Sequence, residues 1–505
     1  PYVTFSNITV AAPEGNGSRT PYAALQLRNG SHHCRVEQCV VSAPLVSAND
    51  NRTYVLMANA GQDAASTCDW LTVTGTRIEG GYVGFYAGTD PEGDSGLTTT
   101  GLVFTGNDIA NVALRSAQIV ECDGFSFTGN SITPGSAGKK SAHHLELRKP
   151  TGAFRVEANK LLIGQGSECT GIYLRDGGGS GDAANPAIIA NNVIAMPKVA
   201  EAYSYGMMID AAMTNVVIAH NSVCLTSAST TLRNVYAMAF NGTSAPEGVA
   251  PQIVNNMLSA GLSGMPLRPW NDSHYARLAF AGNVYYSACG YIDGDSKDIA
   301  QYRQATGDAS SVWAQPEFMS TSDLHLAEVA DEMYVASTPW VTVDYDGRQR
   351  TVTTVAGAYE YERQMVEKPV MAEGYPQIYA VTDKSKWSVG GMLYVKAVDA
   401  SDAIPSPEAM KTATAATAVD ADREVVSEFT GLQPSTSYRA CFMLESALGQ
   451  LSDIVVSDVF VTPDEIQPLE AFIYWQDEPF MAGENVELMA VAEGGVMPYV
   501  YTWTD

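Results

Sequence analysis

Seven stretches decide the fold: LVFTGNDI (102–109), FSFTGNSI (125–132), FRVEANKLLI (154–163), AIIANNVI (187–194), VVIAHNSV (216–223), PQIVNNML (251–258) and LAFAGNVYY (278–286). Each is a short apolar-alternating run, an asparagine, and a second short apolar run. The asparagines are Asn107, Asn130, Asn159, Asn192, Asn221, Asn256 and Asn283. Weaker copies stand at VTFSNITV (Asn7), CRVEQCVV (Cys39) and LTVTGTRI (Thr76), and copies recur about 23 to 37 residues apart. A strand repeat of that length reads as a solenoid in which each unit buries its face against the next. The asparagine suits a sharp corner between two strands, because it tolerates the left-handed conformation better than most residues. Stacked coils would also let successive asparagine side chains hydrogen-bond as a ladder. Irregular spacing fits a β-helix, where loops bulge from any coil, better than a leucine-rich or helical repeat.

The pattern resembles the right-handed parallel β-helix, or pectin-lyase-like, superfamily over residues 1–363. DIAQYRQATGDASSVWAQPEFMSTSDLHL (298–326), DYDGRQR (344–350) and GAYEY (357–361) are similar to the closing segment of a group of bacterial surface β-helix proteins. That resemblance implies last coils and a cap over 298–363, with Asp344, Asp346 and Arg350 tying it down. The first coil carries no amphipathic cap, so the expectation is that further residues precede it.

The remainder is expected to be all-β as well. QMVEKPVMAEG supplies a polar linker over 364–372. Residues 373–463 hold GGMLYVKAV, LQPSTSY and SYRACFML, which resemble a fibronectin type III sandwich whose corner tyrosine, Tyr438, bonds back to the backbone. Residues 464–505 resemble the first half of a PKD-like or Ig-like sandwich, with Gly494, Gly495, Pro498, Tyr499 and Trp503 in the familiar places. Such modules imply spacing and adhesion.

Composition narrows the partners. The chain has 505 residues, 46% of them hydrophobic and only 17% charged, with a formal net charge of −27. Two to four domains are expected at this length. Nucleic acid and anionic membrane both demand clustered Lys and Arg, so neither is an expected partner. An acidic polysaccharide would need a local basic patch or a bridging Ca²⁺. No run of about 18 apolar residues exists, so no insertion into a membrane is expected. The eight cysteines are dispersed, without CxxC or Cys/His metal spacing, and read mainly as buried small hydrophobes; Cys34–Cys39 is an open disulfide candidate.

In the superfamily, ligands lie along the groove over one parallel sheet. Alternation places its outward residues. In HHLELRK the inward pair Leu145 and Leu147 leaves His144, Glu146 and Arg148 outward. In GIYLRD, Tyr173 and Arg175 point out, with Asp176 at the turn. In YGMMIDA, Met208 and Asp210 point out. Gln26, Arg28, Tyr86 and Glu121 fall on the same sheet. With coils about 4.8 Å apart, His144, Glu146, Arg148, Tyr173, Arg175, Asp176 and Asp210 form one patch.

Three readings of that patch stay open. It can be a ladder of ion pairs (Glu146–Arg175, Arg148–Asp176). It can be a groove that recognises polysaccharide or glycoprotein glycans, or another surface protein. It can be the site of a polysaccharide lyase or glycoside hydrolase, with Glu146, Arg148, Arg175 and Asp210 as catalytic candidates and His144 assisting. A purely structural surface stalk completes the set. The resemblance implies a secreted or bacterial cell-surface location. Two acidic loops carry the spacing of a hard-cation site for Ca²⁺: Asp90, Glu92 and Asp94, and Asp293, Asp295 and Asp298.

Overall fold

The computed structural model describes residues 2–13, 22–45, 53–59, 67–88, 96–135, 142–164, 169–177, 181–199, 203–210, 213–227, 234–241, 249–262, 264–269, 272–361, 367–371, 380–387, 390–413, 416–421, 423–430, 432–446, 451–462, 469–474, 488–493 and 499–503. The chain divides into two compact units, Pro1–Tyr361 and Glu362–Asp505.

The first unit is a parallel β-helix. Each coil contributes one strand to each of three sheets. The first sheet holds ten strands that precede the asparagine corner, the second holds eleven that follow it, and the third holds nine. Third-sheet strands such as Ala142–Arg148 and Cys169–Arg175 are seven residues long, whereas the corner strands Arg155–Glu157 and Lys160–Leu162 have three. All pairings between coils are parallel and in register, for example Phe104↔Phe127 and Ile132↔Leu161.

The core is a set of stacks running along the axis. Phe104 lies on Phe127 with ring centroids 4.9 Å apart, and Phe125 on Phe154 at 5.1 Å. Both pairs are fully buried, and each such ring contributes about 2–3 kcal/mol by leaving water. The asparagines form the ladder that their spacing predicts. Asn107, Asn130, Asn159, Asn192, Asn221 and Asn256 each donate from Nδ2 to the Oδ1 of the next asparagine, at 2.9–3.1 Å. Each also donates from Nδ2 to a carbonyl of the coil before, as Asn192 does to Val156 at 2.9 Å. Thr76 continues the ladder at one end and Ser311 at the other.

The left-handed residue at this corner is not the ladder asparagine but the residue before it. Gly106, Gly129, Ala158, Asn191, His220, Asn255 and Gly282 have φ between 53° and 64°. The ladder residue must stay in the strand conformation so that its amide can point along the axis. Asn7 is the exception among the repeats. Register pairs Ser6 with Glu37, so Asn7, with φ 54°, holds the left-handed place and Ile8 falls in the ladder column.

The C-terminal segment of this unit is both a cap and a strap. Helix Ile299–Thr306 closes the last coil, with Asp298 and Gln301 forming a reciprocal capping box and Gly307 ending it at φ 75°. Its Tyr302 is buried beside Tyr275, Phe280 and Tyr285. Val312–Trp313 adds one more strand to the second sheet. Beyond it the chain does not stay on the end. It runs back along the outside of the asparagine corner. Val341 packs on Ile188, Ala190, Val217 and Ala219, and Tyr359 on Val193, Ala195 and Cys224.

Those coils are therefore buried on both faces, which their unbroken apolar runs AIIA (187–190) and VVIA (216–219) encode. The double asparagines divide two tasks. Asn192 and Asn256 build the inner ladder, while Asn191 and Asn255 donate outward to Val343 and Ala336 carbonyls at 2.8 Å. Arg350 latches the strap from a fully buried side chain. It donates to Asn191 Oδ1 at 2.9 Å, to the carbonyls of Gly357 and Ala358 at 3.0 and 3.2 Å, and to Glu360 at 2.6 Å. Asp344 accepts from the backbone N–H of Arg348 and Glu360, and Asp346 meets His325 at 3.1 Å.

All eight cysteines are unpaired, so Cys34 and Cys39 form no disulfide. Cys39 occupies the ladder column instead, its backbone N–H donating to Thr76 Oγ1 at 3.4 Å.

In the second unit, Glu367–Met371, Ala380–Lys386 and Glu424–Thr430 form one antiparallel sheet. The first of these strands lies within the expected linker. A second antiparallel sheet is built on the long pair Gly391–Asp399 and Ser437–Ser446. Trp387, Leu393, Phe429, Phe442 and Leu444, drawn from both sheets, form one core. Gln433 donates from its backbone to the Tyr438 hydroxyl at 3.0 Å. Glu470–Tyr474 and Met489–Glu493 make a separate antiparallel pair. Tyr499 and Trp503 follow it outside any strand, and Gly494, Gly495 and Pro498 lie outside the described residues. Among the described residues no helix is long and apolar enough to cross a membrane.

Candidate functional site

The outer face of the third sheet is where the patch forms, with one change of membership. Midway along each strand two consecutive residues face the interior. The first of the two forms a column in which Val55, Ser116 and His144 are fully or nearly buried. Glycines show the direction: a Cβ on Gly171 would meet Ile194, and one on Gly206 would meet Val223 and Leu225, all core residues. The second of the two is Leu56, Phe85, Ala117, Leu145, Ile172 and Met207, equally buried. Strict alternation fails at this bend. His144 is consequently inside the solenoid and His143 is outside, the reverse of what alternation predicts.

Register then fixes three outward columns. The first runs Tyr54, Val83, Arg115, His143, Thr170, Tyr205, Tyr236 and Met265. The second runs Gln26, Met57, Tyr86, Gln118, Glu146, Tyr173, Met208, Ala239 and Arg268. The third holds Arg28 and Gly88, then Val120, Arg148 and Arg175. Asp210 continues the strand Ser204–Asp210 beside Arg175; its side chain lies outside the described residues. Glu121 stands one residue past its strand, at a corner with φ 48°.

Aromatic rings dominate the floor. Tyr54 and Tyr86 meet edge to face at 5.7 Å, His143 lies 4.6 Å from Tyr173, and Tyr205 stacks with Tyr236 at 6.2 Å. Tyr205, Met208, Tyr236 and Ala239 form their own apolar cluster, separate from the interior core. Arg268 covers the Tyr236 ring at 5.1 Å and donates to its hydroxyl at 2.8 Å.

The charges are paired. Glu146, 1% exposed, is bonded by Arg115 and lies 3.7 Å from Arg175. Arg148 and Arg175 both reach Asp176 Oδ2, at 2.9 and 3.1 Å. Both ion pairs expected between neighbouring coils, Glu146–Arg175 and Arg148–Asp176, are present. A cavity of about 460 Å³ opens on this face between His143, Thr170, Tyr173, Arg175, Tyr203, Tyr205 and Met208. Tyr203 is 53% exposed and left-handed, with φ 61°. A bulky side chain in that conformation costs on the order of 1 kcal/mol.

Burial fixes the protonation of the histidines. It pulls the His143 imidazole down to about 4 and that of His144 to about 3. His220, enclosed under the strap beside Gly357 and Asn255, is also held well below its usual value by burial, with Arg350 adding to the effect. All three are neutral near pH 7. The unfolded chain takes up these protons near pH 6.5 and the folded chain does not. Protonation therefore favours unfolding, and stability falls as pH drops from about 6.5 towards 4, by about 1.4 kcal/mol per pH unit for each proton withheld. Melting curves between pH 7 and 4.5 should show this slope, and a His144→Leu variant should have a shallower one. A melting temperature that is level over that range would contradict it.

The acidic stretch 293–298 does not make a cation site. Asp293 is fully buried and its oxygens are taken: Oδ1 by the backbone N–H of Asp295 and Lys297 at 3.1 Å, Oδ2 by the Tyr275 hydroxyl at 2.6 Å and the Lys297 ammonium at 3.2 Å. Asp298 caps the helix. The lysine supplies the positive charge that spacing alone assigns to Ca²⁺. Asp90, Glu92 and Asp94 lie outside the described residues. Among the described residues no group of three or more His, Cys, Asp or Glu is placed to hold a metal ion.

No protein-family model matches the chain. No curated protein is similar to it at a significant level. Among solved structures, it is similar to a tailspike protein, gp49 of the Acinetobacter baumannii bacteriophage Fri1, a capsular polysaccharide depolymerase. The match has 11% identity and a TM-score of 0.18, and covers 92% of this chain and 66% of that one. The parallel β-helix stands on this chain's own strand pairing.

Proposed function

We propose that this is a modular extracellular protein whose β-helix binds a glycan along the outer face of the third sheet. The observation that carries the reading is the aromatic floor. Tyr54, Tyr86, Tyr173, Tyr205 and Tyr236 sit on one face over seven successive coils, flanked by arginines at Arg115, Arg175 and Arg268. Tyr54, Tyr86, Tyr205 and Tyr236 are themselves buried, so the rings that reach the surface are Tyr173 and Tyr203 beside the cavity. Accessible rings offer apolar faces to sugar C–H groups, and arginine forks offer donors to hydroxyls and carboxylates. Sites of this kind are largely apolar, with a few placed polar groups. The second unit suits a spacer. Its two antiparallel sheets and the Gln433–Tyr438 bond support a fibronectin type III module over 373–463, and a PKD-like or Ig-like module is the reading for 464–505.

A glycoside hydrolase is the weaker alternative. It needs a carboxyl group able to give its proton to the leaving oxygen. Glu146 and Asp176 are both spent on arginines.

Glycan arrays probed with the full chain test the proposal. Binding should appear for a defined set of glycans and weaken at least tenfold in Tyr173→Ala and Tyr236→Ala, each assayed well below its own melting temperature, which Tyr236→Ala should lower because that ring is buried. An array blank for the wild type, or binding that survives both substitutions, would remove the groove. New reducing ends, or the ultraviolet band of an unsaturated uronate, would reassign it to catalysis.

A further inference from the structure

We infer that the cavity at Tyr203 is a subsite for one carboxylated sugar, with Arg175 as the residue that selects the charge. This rests on the groove's being a glycan site and adds where one unit sits and what it must carry.

Three observations lead there. The first is charge. Among the described residues Arg175 is the one charged residue lining the cavity, and no carboxylate lines it, in a chain with a net charge of −27. Asp176 engages Arg175 through Nε at 3.1 Å, and Glu146 lies 3.7 Å from Nη1 while bonded closely by Arg115. Among the described residues no carboxylate is bonded to Nη2. A guanidinium fork is matched to a planar carboxylate. The neighbouring imidazole of His143 is neutral at pH 7, so it can meet a hydroxyl without adding charge.

The second is shape. About 460 Å³ bordered by His143, Tyr173, Tyr203, Tyr205 and Met208 has room for one or two sugar rings, with Thr170 as a hydroxyl at the side.

The third is backbone strain. Ser204 pairs with Val235, which places Tyr203 and Asn234 at the same corner of neighbouring coils. Both are left-handed, with φ 61° and 58°. Asparagine is an ordinary occupant of that conformation; tyrosine is not. The fold could use asparagine twice and instead holds an exposed phenol ring over the cavity mouth. Strain of this kind marks a ligand contact.

Saturation-transfer NMR and titration calorimetry on the full chain, with glucuronate, N-acetylneuraminate, glucose and galactose 6-sulfate as probes, decide the matter. The two carboxylated sugars should bind about tenfold or more tightly than glucose. Arg175→Gln should bring that ratio close to one. Tyr203→Asn should raise the melting temperature by about 2 °C or more, since it relieves the corner, yet weaken the carboxylated sugars about tenfold. Equal affinity for glucuronate and glucose would overturn the charge assignment, and so would a ratio left intact by Arg175→Gln. Galactose 6-sulfate binding as tightly as glucuronate would replace the carboxylate by anions in general. Full affinity in Tyr203→Asn would remove the subsite. In each of these outcomes array binding lost in Tyr236→Ala still supports the groove, so the two readings fail separately. No binding of any probe by the wild type overturns the subsite.

Discussion

Replacing Asn192 by alanine should destabilise the β-helix by about 4 kcal/mol or more. Its Oδ1 accepts from the backbone N–H and the Nδ2 of Asn159, at 3.2 and 2.9 Å. Its Nδ2 donates to the Val156 carbonyl and to Asn221 Oδ1, both at 2.9 Å. Alanine removes four hydrogen bonds at a position with no measurable exposure. Asn159 Nδ2 keeps its bond to Phe127 and Asn221 Oδ1 keeps the bond from the residue 192 backbone N–H, but the Asn159 N–H and the Val156 carbonyl lose theirs. Each orphaned buried group costs about 1–3 kcal/mol. Aspartate should be worse, because it keeps the acceptor, loses the donor and buries a charge. Urea titration with circular dichroism checks both. An Asn192→Ala variant within 1 kcal/mol of the wild type would mean that the ladder is decoration. Asn7 is the control: it stands outside the ladder column, and Asn7→Gly, which suits its φ of 54°, should cost little.

The largest single effect is expected at Arg350. Arg350→Met empties a latch that bonds Asn191, Thr354, Val355, Gly357, Ala358 and Glu360. It leaves Glu360 without its cation and several buried carbonyls without donors, a loss of about 5 kcal/mol. The strap should then part from Ile188, Ala190, Val217 and Ala219, exposing an apolar face. Limited proteolysis should cut between 314 and 361, and a hydrophobic dye should bind, while the parallel sheets keep their far-ultraviolet signal. Cleavage no faster than in the wild type would show that packing alone holds the strap.

The asparagine repeat made the solenoid and its stacked corners legible from the chain alone. A period of about 30 residues with one polar residue inside each apolar run has few other packed solutions. Two features were hidden for local reasons. The bend in the third sheet turns two consecutive residues inward, so counting by twos exchanges His143 with His144. Gly84, Gly171 and Gly206 recurring mid-strand at that column are the signal that could have shown it, since strand interiors seldom spend glycine without a close approach.

The strap was hidden because it lies far along the chain from what it covers. Its trace was present in AIIA and VVIA, which lack the alternation of a one-sided strand. The acidic loop 293–298 misled because spacing shows carboxylates but not their partners. Lys297 and Tyr275 settle that, one inside the loop and one 18 residues before Asp293.

The strap also changes how the molecule should carry a pulling load. A bare stack of coils contacts only its neighbours and can peel one turn at a time. Residues 333–361 instead stitch turns from Asn191 to Val284 into one body through side-chain bonds and apolar contacts. Drawn end to end, the turns before Asn159 should ravel singly at low force, and the stitched turns should give way together in one larger step.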